Sequence, residues 1–319
     1  MAAPSDTALG RSIAAYVAAR RSQGYKFVTG GEVLGRLDRL ASETGLAEGG
    51  LSRELVEAFV APVPGEAART RDVRVSAVRC LGSWLASRGE PAYVVPKGAA
   101  SGVAKYGSKP RLLTEGEVAR LLSAADSMAP RPQSPLRHLV MPALFRTVYA
   151  CGLRISEALN LAVDDVDLAG GVIYVRGAKF NKDRAVPMSD ALSERLRGYS
   201  AGTLAGRPGF SAFFPSPFGF YEHSSVGLVF RTLLQAAGIP HYDDGPTVHS
   251  LRHSFACHRL ARWAAAGEDV GALLPYLSAY MGHEGLLGTE RYLRLTAEMR
   301  PDLRGRIEKS CSWMIPGAV

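Results

Sequence analysis

The stretch Thr247–Leu295 carries cationic and imidazole side chains followed by a phenol. His249 and Arg252 lie three residues apart in HSLRH, and Tyr292 follows His283 by nine residues. Residues three apart share a helical face, so His249 and Arg252 are predicted to point to one side. A phosphodiester is anionic, and a guanidinium stays protonated and can donate two parallel hydrogen bonds to its oxygens. The stretch therefore predicts anion-contacting groups beside a nucleophile, Tyr292, whose phenol has an ordinary pKa of about 10 and needs cationic neighbours or a base.

Further candidates lie well upstream. Arg154 in CGLRISE, like Arg252, is at or near a predicted helix start, where backbone N–H groups add positive potential. Lys179 is predicted at a hairpin tip, from which its amine could reach a cleft and donate a proton. Lys182 competes for that role. The ordinary alternatives are a surface salt bridge for Arg154 and an exposed turn residue for Lys179.

A zinc site is the alternative interpretation of the histidines. His249 and His253 are four residues apart, and His258 or His283 would have to supply a third ligand. The sequence has no HExxH glutamate, and its four cysteines are scattered without CxxC spacing. We therefore predict no metal, no cofactor and reduced thiols.

The chain as a whole is typical of a globular protein with a polyanionic partner. Its 319 residues suit two domains, and 47% of them are hydrophobic. The net charge is +8 and the pI about 9.4, which favours nucleic acid without requiring it. No run approaches 18 apolar residues and the N-terminus lacks a signal-peptide pattern, so we expect a cytoplasmic protein with no membrane partner.

The N-terminal part is predicted to be a small helical domain. Apolar residues recur at helical spacing, Ser52 is a plausible N-cap, and a longer helix is expected over about Glu66–Ser87. That helix carries four arginines that could contact DNA or form a solvated basic face: Arg69, Arg71, Arg74 and Arg79. Residues 96–110, PKGAASGVAKYGSKP, have linker composition, and their Lys105 and Lys109 could lie along a phosphate backbone.

From residue 111 onward the pattern is mainly helical with one β segment. Thr114 and Glu117 predict a capping box. Short β-branched runs predict a three-stranded antiparallel meander over Val166–Leu168, Val172–Val175 and Arg184–Pro187. Helices are predicted at about 136–151, 155–161, 189–199, 225–237, 249–266, 270–281 and 289–295, with an aromatic loop over 210–220.

The ordered set of site residues resembles the tyrosine recombinase (phage integrase) family. It comprises Arg154 in GLRISE, Lys179 in GAKFNKDR, His249 and Arg252 in HSLRH, Gly282-His283, and Tyr292. The resemblance covers roughly Pro110–Leu295. It implies that Arg154, Arg252 and His283 bind the scissile phosphate, that His249 assists proton transfer, and that Lys179 protonates the leaving 5′-oxygen. Tyr292 would form a 3′-phosphotyrosine, and Glu157 would organise the site.

The same resemblance implies an architecture and an assembly. A helical core-binding domain (1–95), a linker (96–110) and a catalytic domain (111–319) would form a C-shaped clamp on double-stranded DNA. A C-terminal exchange helix at about 297–319 would dock on a neighbouring protomer. Four copies, possibly with partner recombinases, would pass through a Holliday junction without metal or ATP, in association with the nucleoid.

Two departures from the family pattern bear on these expectations. Phe180 follows the hairpin lysine where a small residue is common. The segment WAAAGEDVGALLPYLSAY lengthens the chain between Arg252 and Gly282, as in recombinases of certain transposons, which favours a mobile-element enzyme. Three rival functions remain: a type IB topoisomerase, a DNA-binding regulator without catalysis, and a zinc hydrolase.

Overall fold

The chain folds into two compact units, residues 1–107 and 108–319. A computed structural model describes residues 6–25, 27–46, 50–98, 110–177, 183–205, 209–242, 245–283, 285 and 287–299. Residues 99–109 of the predicted linker (96–110) and residues 300–319 of the predicted exchange helix (about 297–319) lie outside the described residues. As expected from the sequence, the chain is mainly helical with small antiparallel sheets.

The first unit contains four described helices. They are α1 (Ala8–Ser22), α2 (Val28–Glu43), α3 (Arg53–Val60) and α4 (Ala68–Ser87). The hydroxyl of Ser52 accepts from the backbone N–H of Leu55, which confirms the predicted N-cap of α3. Buried aliphatic residues from all four helices form one core, including Leu34, Leu55 and Leu81. The described residues of this core run from Leu9 to Val95.

The second unit contains eight described helices around a small sheet. The helices are α5 (Glu115–Asp126), α6 (Arg137–Ala150), α7 (Ile155–Leu159), α8 (Asp190–Thr203), α9 (His223–Ala236), α10 (Val248–Ala266), α11 (Val270–Met281) and α12 (Leu287–Met299). The strands β1 (Val166–Asp167), β2 (Val172–Val175) and β3 (Arg184–Pro187) pair antiparallel in the order β1-β2-β3. The predicted meander is therefore confirmed, and so is the capping box between Thr114 and Glu117.

A short β-ribbon was not predicted. Inside the aromatic segment, β4 (Pro215–Ser216) pairs with β5 (Gly219–Phe220) as a two-stranded ribbon. Proline and glycine in the sequence indicated a loop, but the Ser216 hydroxyl accepts from the backbone N–H of Phe218 and closes a tight turn. The ribbon was missed because each strand is only two residues long.

Helix α10 is central to the second unit. It packs against α6, α9, α11 and α12, and its residues Leu251, Ala256 and Leu260 are fully buried. A buried helix with polar residues in its first turn can hold those residues rigidly at the end of the core. No helix within the described ranges is long and apolar enough to cross a membrane.

Candidate active site

Arg154 is positioned by a glycine turn between α6 and α7. Gly152 has a φ of +57°, which favours glycine, and a Cβ there would lie 2.5 Å from the ring of Phe255. Arg154 is the N-cap residue of α7, and its side chain is one-quarter exposed. Its Nη2 donates to the carbonyl of Gly282 over 2.9 Å, so the turn and the end of α11 are joined through this guanidinium.

Glu157 is a buried carboxylate that holds two guanidiniums. It accepts from Nη1 of Arg154 over 2.6 Å and from the backbone N–H of Arg154 over 2.9 Å. It also accepts from Nη1 and Nη2 of Arg184 over 3.1 and 2.8 Å. Burial alone raises the pKa of a carboxyl, but the hydrogen bonds and charge of Arg184 and Arg154 hold the pKa of Glu157 at about 2.

Arg184 was not predicted as a site residue. It is the first residue of β3, and besides Glu157 it contacts the carbonyl of Tyr280, to which its Nε donates over 3.0 Å. The sequence showed only a charged residue at a strand end, which is usually solvent-exposed. One sequence signal could have identified Arg184: it lies at the end of the hairpin that was predicted to bring Lys179 to the site.

Arg252 is almost completely buried, with 1% of its surface exposed. Its guanidinium donates to the carbonyl of Gly152, to the carbonyl of Met281 over 2.8 Å and to Nε2 of His283 at 3.0 Å. Each of these partners is uncharged. Burial and the nearby charge of Arg154 therefore lower the pKa of Arg252 to about 10, and its positive charge remains available for an anion.

His283 is placed by a second glycine turn. Gly282 ends α11 with a φ of +67°. Because a guanidinium only donates, Nε2 of His283 must accept from Arg252, and Nδ1–H then donates to the hydroxyl of Thr289 at 2.7 Å. This tautomer is assigned from the hydrogen bonds. Burial, Arg252 and Arg154 lower the pKa of His283 to about 4, so the ring is neutral at neutral pH.

Tyr292 lies on α12 with 2% of its surface exposed. Its hydroxyl is 2.8 Å from Nδ1 of His253, and its ring stacks on His283 with centroids 6.0 Å apart. Burial raises the pKa of the Tyr292 phenol, whereas the charges of Arg252 and Arg291 lower it. The predicted nucleophile is thus beside the predicted phosphate-binding groups.

His249 lies in the first turn of α10 and is exposed, as expected for a residue that meets a substrate. Its ring packs on the ring of His253 at 4.4 Å between centroids. Packing around the ring, followed by the charges of Arg252 and Arg154, lowers the pKa of His249. Because the residue is exposed, hydration limits the size of that shift but not its direction. His249 and Arg252 therefore share one site.

The site carries a surplus of positive charge. Three guanidiniums, those of Arg154, Arg184 and Arg252, are held with one carboxylate, Glu157, which leaves two positive charges unbalanced. The lowered pKa values of the histidines have the same origin in part. An anion such as a phosphodiester would relieve this repulsion, and it would do so next to a phenol hydroxyl.

Lys179 and its competitor Lys182 lie outside the described residues, so their predicted role stays a prediction. The stem of their hairpin is described. The backbone N–H of Gly177 donates to a carboxylate oxygen of Asp183 over 2.8 Å, and Arg184 follows directly at the Glu157 carboxylate. The described chain therefore resumes, after both lysines in the sequence, next to the site.

The zinc alternative is not supported by the directions of the ring nitrogens. Nδ1 of His253 bonds to Tyr292, whereas Nδ1 of His258 bonds to the hydroxyl of Tyr149 at 2.9 Å. In the described part of the chain, no group of three or more His, Cys, Asp or Glu side chains is arranged to hold a metal ion. The histidine spacing instead serves two imidazole–phenol pairs.

The arginines of α4 differ in their surroundings. Arg74 is buried, pairs with Glu66 and donates to the carbonyl of Ala61. Its guanidinium is therefore not exposed for the DNA contact that the sequence predicted. Arg71 and Arg79 are half-buried and each donates to backbone carbonyls, whereas Arg69 is exposed. The sequence could not separate these four because all lie on one helix. Two further predicted contacts, Lys105 and Lys109, are outside the described residues.

Comparisons with known proteins show what this chain is similar to. Residues 111–299 match the model of the phage integrase family. A putative integrase/recombinase of Sinorhizobium fredii is 34% identical over 291 residues, which are 89% of this chain and 91% of the relative. The tyrosine recombinase XerA of Thermococcus kodakarensis is 35% identical over 196 residues, 60% of each chain. The solved integrase of the transposon Tn1549, bound to a circular intermediate DNA, has a similar fold, with a TM-score of 0.63 at 17% identity over 88% of this chain and 94% of that one.

Proposed function

Because this chain belongs to the phage integrase family and is a tyrosine recombinase, we propose that it cleaves and rejoins DNA through a 3′-phosphotyrosine at Tyr292. We further propose that it integrates, excises or transposes a mobile element. The similarity of its fold to a transposon integrase supports the second proposal, as does the lengthened segment between Arg252 and Gly282.

One observation carries the chemical proposal. The Tyr292 phenol lies close enough to the unbalanced guanidinium of Arg252 for that charge to lower its pKa, and the Tyr292 ring stacks on His283. A phosphate bound by Arg154 and Arg252 would place its phosphorus beside that hydroxyl. Electrostatic stabilisation of the pentavalent transition state by such donors is commonly the largest catalytic contribution.

The proposed reaction balances without an external energy source. The phenol loses its proton, its oxygen bonds to phosphorus, and the bond from phosphorus to the 5′-oxygen breaks. Lys179 supplies the proton that the leaving 5′-oxygen needs. Since one phosphodiester replaces another, the bond energy is conserved in the phosphotyrosine, and a 5′-hydroxyl from another duplex can reverse the step to join new strands.

The proposed assembly follows from the number of cuts. Each chain carries one nucleophile at Tyr292, whereas exchange between two duplexes requires four cleavages. We therefore propose a homotetramer on two DNA duplexes that exchanges one pair of strands at a time through a Holliday junction on nucleoid DNA. Residues 1–95 would supply a second DNA-binding domain, with Arg69 among its contacts. Partner recombinases are compatible with this scheme but are not required by it.

Covalent capture tests the proposed chemistry. The probe is a pool of duplexes of randomised sequence, each with a nick, so that cleavage near the nick releases a short fragment and traps the protein on DNA. We expect wild type to give a covalent band in EDTA and Tyr292→Phe to give none.

Tyr280→Phe is the matched control, because the Tyr280 hydroxyl donates to the carbonyl of Pro187 and is engaged in packing. Its band should persist. A band that survives Tyr292→Phe and disappears with Tyr280→Phe would contradict the proposal. Binding of DNA without any covalent band would favour the rival function, a non-catalytic regulator, and a band that requires zinc would favour the zinc enzyme.

A further inference from the structure

His253 is a buried histidine that the proposed mechanism has not used. It lies next to Arg252 on α10, with 7% of its surface exposed, and its Nδ1 is 2.8 Å from the Tyr292 hydroxyl. That distance is typical of a strong neutral hydrogen bond. His253 thus touches the oxygen that would attack the phosphate.

We propose that His253, rather than His249, accepts the proton of the Tyr292 hydroxyl during cleavage and returns it during rejoining. The proposal rests on the proposed function, in which Tyr292 is the nucleophile. The sequence predicted that His249 assists proton transfer. In this proposal His249 instead contacts the bound phosphate.

The other imidazoles of the site are less suited to the task. Both nitrogens of His283 are engaged, Nε2 with Arg252 and Nδ1 with Thr289. His249 meets the ring of His253 edge to face at 4.4 Å. Among these imidazoles, His253 makes the hydrogen bond with the Tyr292 hydroxyl.

The charge of Arg252 also acts on the Tyr292 phenol. Burial raises the pKa of that phenol, and the charge of Arg252 opposes this increase, which favours loss of the proton. In the proposed step the phenol hydrogen points at Nδ1 of His253. This requires the neutral tautomer of His253 that carries its hydrogen on Nε2.

Burial and the groups around His253 keep it neutral before DNA binds. Burial is the main cause, and four neighbouring groups add to it, so the pKa of His253 lies at about 3. They come from its own helix, from the turn after α11 and from α12: His249, Arg252, His283 and Arg291. A phosphodiester bound by Arg252 brings negative charge next to His253 and favours the imidazolium, so proton transfer is helped at the moment when the phenol oxygen attacks.

The step is balanced in both directions. In cleavage the proton moves from the Tyr292 oxygen to Nδ1 of His253 as the oxygen–phosphorus bond forms. In rejoining, the attacking 5′-hydroxyl returns its proton to Lys179, the acid proposed for cleavage, as it bonds to phosphorus and expels Tyr292, whose oxygen takes the proton back from His253. No oxidant, reductant or metal takes part.

The test measures the pH dependence of cleavage with a duplex recovered from the covalent capture and resynthesised with a single nick. His253→Gln keeps a polar side chain of similar length but cannot take up a proton at neutral pH. We expect wild-type cleavage to be nearly constant between about pH 6 and about pH 9. His253→Gln should be slower by about a hundredfold at neutral pH, and its rate should rise about tenfold per pH unit, because the phenol then ionises to solvent.

His258→Gln is the matched control. His258 lies on the same helix, is equally buried at 7%, and its Nδ1 bonds to the hydroxyl of Tyr149 at 2.9 Å, but that phenol is outside the site. The variant should keep the wild-type pH profile. A His253→Gln profile that is flat and within about tenfold of the wild-type rate would overturn the inference. In that case Tyr292→Phe would still abolish capture if the proposed function is correct, so the two failures are distinguishable.

A second measurement does not depend on the folding of His253→Gln. In wild-type protein with ¹⁵N-labelled histidine, we expect NMR to show Nδ1 of His253 without a hydrogen and its resonance to move in Tyr292→Phe. A protonated Nδ1, or a resonance insensitive to Tyr292→Phe, would overturn the inference.

Discussion

The substitution Glu157→Gln tests whether the buried carboxylate holds the site together. Glu157 accepts four hydrogen bonds, two from Arg154 and two from Arg184, with its side chain only 5% exposed. Glutamine keeps the shape but removes the charge, and its amide hydrogens face the guanidiniums. Two cations then remain side by side without a counter-ion.

The structure gives the magnitude in two ways. A pKa of about 2 for Glu157, compared with an ordinary value of 4.5, corresponds to about 3 kcal/mol of stabilisation of the carboxylate. Removal of one partner of a buried ion pair typically costs about 3–5 kcal/mol. We therefore expect Glu157→Gln to lower the free energy of unfolding by about 3–5 kcal/mol and to reduce DNA cleavage, because Arg154 loses its anchor.

Urea unfolding of wild type and variant at neutral pH measures this loss. The matched control is Glu117→Gln. Glu117 also caps a helix and pairs with an arginine, Arg111, but that arginine is 41% exposed. This control should cost about 1 kcal/mol and leave cleavage unchanged. Equal stability losses in the two variants would refute the reasoning.

The pH dependence of wild type provides an independent check on the same carboxylate. Since the pKa of Glu157 is lower in the folded state, its stabilising contribution is present above about pH 4.5 and is lost as the pH falls toward about 2. Glu157→Gln should lack this acid-dependent part.

Three further predictions concern neighbouring positions. Gly282→Ala should lower the thermal stability of the protein by more than Gly267→Ala. Both glycines end helices at positive φ, which costs alanine about 1–2 kcal/mol, but only at Gly282 would the added Cβ meet a guanidinium, that of Arg184, at 2.6 Å. Equal losses in thermal unfolding would contradict this. Thr289→Val should remove the hydrogen bond to Nδ1 of His283, lower the free energy of unfolding by about 1 kcal/mol and slow covalent capture. An unchanged capture rate would show that this contact does not orient the imidazole. Because the pKa of His253 is depressed from 6.5 to about 3, its contribution to stability is present above pH 6.5 and is lost as the pH falls below it, by up to about 1.4 kcal/mol per pH unit. His253→Gln should therefore reduce the loss of unfolding free energy below pH 6.5, measured by urea unfolding. An unchanged dependence on pH would contradict the depressed pKa of His253.

The sequence predicted much of this fold because its signals are local. Thr114 and Glu117 mark a helix start by their spacing, and β-branched runs mark the three-stranded sheet. The β4–β5 ribbon escaped because two-residue strands have no measurable periodicity. The order of Arg154, His249, Arg252, His283 and Tyr292 was sufficient to predict a site, and the described structure brings all five together.

What sequence could not provide was the pairing between distant residues. Arg184 is 27 residues from Glu157, and nothing in a charged residue at a strand end indicates which carboxylate it will meet. His253 was considered only as a zinc ligand, since its spacing from His249 was visible but its distance to Tyr292 was not. Arg74 was grouped with its neighbours although it points inward to Glu66. Each of these depends on tertiary contacts that have no counterpart in local spacing.

Identification of the amino acid joined to DNA tests the central claim most directly. Wild-type protein captured on the nicked duplex would be digested with a protease that cuts after glutamate, and the DNA-linked peptide would be sequenced by tandem mass spectrometry. Cleavage after Glu290 and Glu298 places Tyr292 in RYLRLTAE, whereas Tyr280 falls in a different peptide that ends at Glu284. We predict a phosphodiester between the hydroxyl of Tyr292 and a DNA 3′-end. A link at any other residue, or one to a 5′-end, would contradict the account.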